Sequence, residues 1–96
     1  MVRTENTNAV RAEALFASML QRSDVPSPAQ VRAAVGATLR RYGVRGCAAR
    51  VAQEYGDHPA GAVQRMCWVL AELRAAYPTP VLQRFRRSLT TRDAWR

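Results

Sequence analysis

Cys47, His58 and Cys67 are the chain's two thiols and its one imidazole. With Asp57 they could be drawn as a zinc site. Structural zinc ligands usually come in close pairs such as C-x-x-C, and no such pair is present. The expectation is therefore no metal and no other cofactor, with His58 as a cap or surface residue. Asp57 stands midway between the cysteines. If the chain reverses there as an antiparallel hairpin, Cys47 and Cys67 lie at one height on inward faces and can touch. In a reducing compartment the plain reading is two buried thiols acting as small hydrophobes. No catalytic set emerges: Glu54, Asp57 and Glu72 are separate, and no serine has the context of a nucleophile. Gly43, Gly46, Gly56 and Gly61 are explained by helix ends and packing rather than by a phosphate loop. A non-enzyme is expected.

The arginines carry the stronger signal. All fifteen basic residues are arginine, against seven acidic residues, for a net charge of +8 on 96 residues. The absence of lysine and isoleucine fits a GC-rich genome, so arginine identity alone says little. The imbalance says more, because it attracts nucleic acid or acidic proteins. From Thr79 to Arg96 there are five arginines and one aspartate, half the excess charge in the last stretch. There Arg84, Arg86, Arg87, Arg92 and Arg96 alternate with Phe85 and Trp95, and such a pattern can neutralise phosphates and stack on bases. Arg45 and Arg65, near expected turns, complete the candidate nucleic-acid contacts. The competing reading of the C-terminal stretch is a solvated helix docked through Phe85 and Leu89. Arg40 and Arg41 have a structural explanation at a helix C-terminus, where the dipole favours cations.

These side chains need elements to hold them, and every patterned segment has a helical period. A first helix, capped by Thr7 or Asn8, reaches about Arg22 on Val10, Ala14, Leu15, Met19 and Leu20. Ser27-Pro28-Ala29-Gln30 is a capping box with proline at the first helical position. The helix it starts ends at Gly43, with Val44 folding back on Leu39. A third runs from about Arg45 to Tyr55, with Val44, Cys47, Ala48, Val51 and Tyr55 on one face. A fourth follows Pro59 to about Tyr77, where Pro78-Thr79-Pro80 stops it. Its Met66–Leu73 stretch is apolar on nearly every side, so it is expected at the centre, on a stripe of Val63, Met66, Leu70, Leu73 and Tyr77. A short fifth helix carries Val81, Leu82, Phe85 and Leu89.

The Gly56 turn between the third and fourth helices invites comparison with a helix-turn-helix. Ala52 and Gly56 fit that pattern, but Asp57 stands where an apolar residue is usual, and Val63 and Met66 fall one position late. A plain hairpin fits better, although recognition helices do contact bases through their first turn. The stretches GCAARVAQEYGDHPAGAVQRMCW and ALFASMLQRSDVPSPAQVRAAV resemble a group of short uncharacterised proteins of GC-rich filamentous soil bacteria. The similarity runs from about Ala14 to Leu73. It implies a small stand-alone protein and supplies no site residues.

The expected architecture is all-α: a single small bundle of four main helices plus a short C-terminal one, spanning residues 1–96. Residues 1–8 are expected to fray, and 90–96 to form a basic tail. The N-terminus has no apolar signal core, and no run is long enough to span a bilayer, so a cytoplasmic protein without membrane insertion is expected. The expected function is a non-catalytic, regulatory, nucleic-acid-associated binding protein. The alternative is a protein-interaction module or homodimeric adaptor that takes an acidic protein or a second copy on exposed helical faces.

Overall fold

The computed structural model describes the backbone of residues 2–78 and the side chains of residues 7–78. Three α-helices make up this region: α1 (Val2–Ala17), α2 (Pro28–Asp57) and α3 (Pro59–Ala76), with a short 3-10 turn at Arg22–Asp24. The all-α class holds. The count of four helices plus one does not. The segment expected as a second and a third helix is the single element α2, and the fifth lies outside the described residues.

α2 starts as its sequence dictates. Gln30 N–H donates to the Ser27 hydroxyl at 3.1 Å, and Ser27 N–H donates to Gln30 Oε1 at 2.8 Å. Pro28 occupies the first turn, where its missing N–H costs nothing. The expected break at Gly43 exists as a kink inside the helix: Gly43 has φ 72° and ψ 173° while its neighbours remain helical. That region of backbone space is open to glycine and strained for other residues. The two arms, 28–42 and 44–57, meet at a sharp corner. The Cys47 thiol reaches the Thr38 carbonyl at 4.0 Å, whereas a straight helix would separate residues so spaced by about 13 Å along its axis. Gly46 completes the corner, because a Cβ there would stand 2.9 Å from Tyr42 Cβ.

The link from α2 to α3 is one residue. His58 ends one helix and begins the next, its N–H donating to Glu54 O at 2.7 Å and its carbonyl accepting from Ala62 N–H at 2.8 Å. Gly56 stays helical, so the three- or four-residue turn of a helix-turn-helix is not formed here.

α1 begins at Val2 and stops at Ala17, so Thr7 and Asn8 lie inside it rather than capping it. The core joins Ala12, Ala14, Leu15 and Phe16 of α1 to Val31, Val35, Cys47 and Val51 of α2 and to Ala62, Val69, Leu73 and Ala76 of α3. α1, rather than α3, is buried on several sides. The inner face of α3 is Ala62, Met66, Val69, Leu73 and Ala76, at helical spacing. The outer stripe includes Leu70, 43% exposed, and Val63, 51% exposed. The inward stripe is set by helical spacing, with Val69 and Leu73 at its centre and the small Ala62 and Ala76 at its ends.

Candidate nucleic-acid interface

Two of the arginines are consumed by the fold. Arg32 donates from a terminal nitrogen to Ala76 O at 3.0 Å, closing the end of α3. Arg65, expected on a binding surface, instead closes the end of α1. Its Nε donates to Phe16 O at 2.9 Å, and one terminal nitrogen serves Ser18 O at 3.1 Å and Leu20 O at 2.9 Å, with Leu15 O at 3.5 Å. The guanidinium is half-buried between the rings of Phe16 and Trp68. Burial pushes its ionisation below the ordinary arginine value, and the carboxylate of Glu54 partly offsets this. Such a group is a clasp between helices, with most of its donors turned onto carbonyls of the α1 end.

Arg40, Arg41, Arg45 and Arg50 remain exposed around the α2 corner. Among the described residues, no carboxylate stands within ion-pairing distance of any of them; Glu54 Oε1 lies 3.7 Å from His58 Nδ1 instead. From residue 25 to residue 53 the sequence holds five arginines and no acid. Tyr42 sits half-buried at the vertex. The Arg50 guanidinium lies 3.8 Å from its ring centroid, and that of Arg41 lies 5.3 Å away on the same residue. Cation–π contacts at these distances orient the side chains without consuming all their N–H donors. Arg40 and Arg41 sit in the last turn of the first arm, where the helix dipole favours them. Arg45 sits in the first turn of the second arm, where the dipole opposes a cation. The fold therefore gives no stabilising reason for Arg45.

Of the residues expected to touch nucleic acid, the structure brings Arg45 to this corner and takes Arg65 away. Arg84, Arg86, Arg87, Arg92 and Trp95 lie outside the described residues. The structure also places Arg50 and Tyr42 at this corner, beyond the residues expected from the sequence. The acid-free run from residue 25 to residue 53 is the signal that points to them, and it is visible in the sequence.

The cysteines do not meet. Cys47 is buried beside Thr38, while Cys67 is exposed on the outer face of α3. The equal spacing about Asp57 fails as a guide because Cys67 falls off the inward stripe of α3, which runs through Ala62, Met66, Val69, Leu73 and Ala76. Among the described residues no group of three or more His, Cys, Asp or Glu side chains is placed to hold a metal ion. A polar cavity of about 300 Å³ gathers Gln21, Arg50, Glu54 and Arg65 against Phe16. Of its lining residues Ser18 alone carries a nucleophilic hydroxyl, and that hydroxyl donates to Leu15 O at 2.6 Å. No described helix is long and apolar enough to cross a membrane. Comparison with protein-family models, curated proteins and solved structures finds no match for the chain.

Proposed function

We propose that this is a non-catalytic, cytoplasmic, regulatory protein that binds nucleic acid through the arginine corner of α2, extended by Arg84, Arg86, Arg87, Arg92 and Trp95. The observation that carries the reading is four exposed guanidinium groups, Arg40, Arg41, Arg45 and Arg50, with no carboxylate partner among the described residues. Like charges held at one corner repel, and Arg45 also opposes a helix dipole, so an external polyanion relieves both. Phosphates spaced along a strand suit such a cluster, each neutralised charge releasing counterions.

The test is anisotropy of labelled random-sequence duplex DNA against salt concentration. Binding should weaken steeply with salt. Replacing Arg40, Arg41, Arg45 and Arg50 with Gln should remove up to about four units of the slope, since each phosphate contact contributes about 0.9. Replacing Arg84, Arg86 and Arg87 with Ser reads the C-terminal share separately. Unchanged affinity and slope in variants that remain folded, or no binding at low salt, would overturn the reading. The exposed stripe of Val63, Cys67 and Leu70 favours a second reading, a homodimeric adaptor. Sedimentation at rising concentration tests it, with Leu70→Ser expected to leave only monomer.

A further inference from the structure

Between the end of α1 and the first arm of α2 runs a groove of about 340 Å³, lined by Ala17, Met19, Leu20, Ala34, Ala37 and Tyr42, with Arg41 in its wall. We propose that it docks an acidic amphipathic helix of a partner protein, apolar side inward and carboxylates on Arg41 and its neighbours. This goes beyond nucleic-acid binding and shares Arg41, the arginines next to it and Tyr42 with that reading.

The chemistry of the groove selects the occupant. Two of its three hydroxyls are already used: Thr38 Oγ1 donates to Ala34 O at 2.7 Å, and Ser18 Oγ donates to Leu15 O at 2.6 Å. Beyond Arg41 and the Tyr42 hydroxyl the lining side chains offer no free donor, so a ligand polar along its whole length would lose more hydrogen bonds to water than it gained. The floor is Ala34, Ala37 and Thr38, with Arg41 one turn on. This spacing presents one narrow face of a helix, and small side chains there let a second helix axis come close. Met19 is 88% exposed beside it, an unbranched and adaptable side chain that can close over an apolar guest.

Charge narrows the choice further. The run from residue 25 to residue 53 has five arginines and no acid. A second copy would bring the same charges to this face, and the C-terminal stretch of this chain carries five arginines against one aspartate. Both are repelled. An acidic helix is attracted, and its carboxylates would meet arginines that have no acidic partner among the described residues.

The probe is a labelled peptide of about 15 residues, the length at which an isolated helix becomes marginally stable, with Leu along one face and Glu elsewhere. It is compared with a scrambled peptide of equal composition and with one carrying Gln for Glu. The acidic amphipathic peptide should bind about tenfold more tightly than either control. Ala37→Trp, which fills the groove, and Met19→Ser should each weaken it about tenfold while leaving circular dichroism and duplex DNA binding as in wild type. Arg41→Gln should weaken both ligands. Equal binding of the scrambled peptide would reduce the effect to bulk charge and overturn the proposal, as would equal binding of the Gln peptide. Loss of duplex binding in Met19→Ser and Ala37→Trp would give the groove to nucleic acid. A concentration-dependent dimer broken by Met19→Ser would give it to a second copy. Peptide binding without duplex binding would sink the nucleic-acid reading alone.

Discussion

Arg65 and Phe16 tie α3 to α1 twice over: Arg65 Nε donates to the Phe16 carbonyl at 2.9 Å, and the guanidinium lies 5.5 Å from the centroid of the Phe16 ring. The same ring also stacks on Tyr55, with centroids 6.1 Å and planes 21° apart. Three elements therefore converge on one aromatic side chain. The last carbonyls of a helix need partners, and no glycine stop follows Ala17 to supply them. A planar guanidinium can serve several carbonyls at once, which an ammonium cannot.

Arg65→Ala should therefore cost about 3 kcal/mol, since it strands several carbonyls at a part-buried helix end. Arg65→Lys should recover only part of this, although the charge is retained. Urea denaturation of both variants is the measurement. A loss under about 0.5 kcal/mol for Arg65→Ala would mean that water replaces the clasp freely.

The corner of α2 depends on two glycines for different reasons. Gly43→Ala should destabilise by about 1–3 kcal/mol through backbone strain at φ 72°. Gly46→Ala should destabilise because its Cβ would meet Tyr42 Cβ, a rigid stem atom, at 2.9 Å. Gly56 and Gly61 meet nothing within 4 Å and lie in regular helix. Alanine there should stabilise by about 0.5–1 kcal/mol. Thermal melts of all four variants check the contrast. A stabilised Gly43→Ala would show that the arms run straight.

Leu15 and Leu70 separate inner from outer faces. Leu15 is fully buried, and Leu15→Ala should cost about 2–5 kcal/mol. Leu70 is 43% exposed, and Leu70→Ala should cost less than about 1 kcal/mol. Chemical denaturation decides it. Equal losses at the two sites would place the core on the wrong side of α3.

What the sequence made legible was local. The Ser27–Gln30 box and the break at Gly43 depend on residues within one turn, and both can be read without the fold. The end of α1 could not be. Met19 and Leu20 continue the apolar pattern, and the group that stops the helix, Arg65, comes from another helix far along the chain. The inward face of α3 was legible only in part: Met66 and Leu73 lie on it as their pattern predicts, but hydrophobicity favours Val63 and Leu70 over Ala62 and Ala76, which are the buried pair. The candidate interface was half legible. Counting charge found the basic stretches but could not tell Arg65, turned inward on carbonyls, from Arg45 and Arg50, turned outward at a corner.

The thiols should behave as two separate groups. Burial pushes the Cys47 thiol above its ordinary ionisation, nearby Glu13 adds to this, and Arg50 opposes it. Thiolate is the reactive form, so Cys47 is protected by both access and protonation. Cys67 is exposed and should react at once with a thiol reagent in the native protein, with Cys47 following only on unfolding. Mild oxidation should give dimers through Cys67 rather than a monomer lighter by two hydrogens. That lighter monomer, formed without denaturant, would restore the facing pair and overturn the placement of Cys47. The pH dependence has a definite sign. Below the ordinary thiol value of 9.0 both folded and unfolded Cys47 are protonated, and its contribution to stability is complete. As pH rises past that value the unfolded chain ionises first, so stability falls until the folded thiol also ionises. Cys47→Ala should remove that part of the alkaline loss, and comparing urea midpoints of wild type and variant from neutral to alkaline pH measures it. A parallel decline in the two proteins would assign the alkaline loss to other groups.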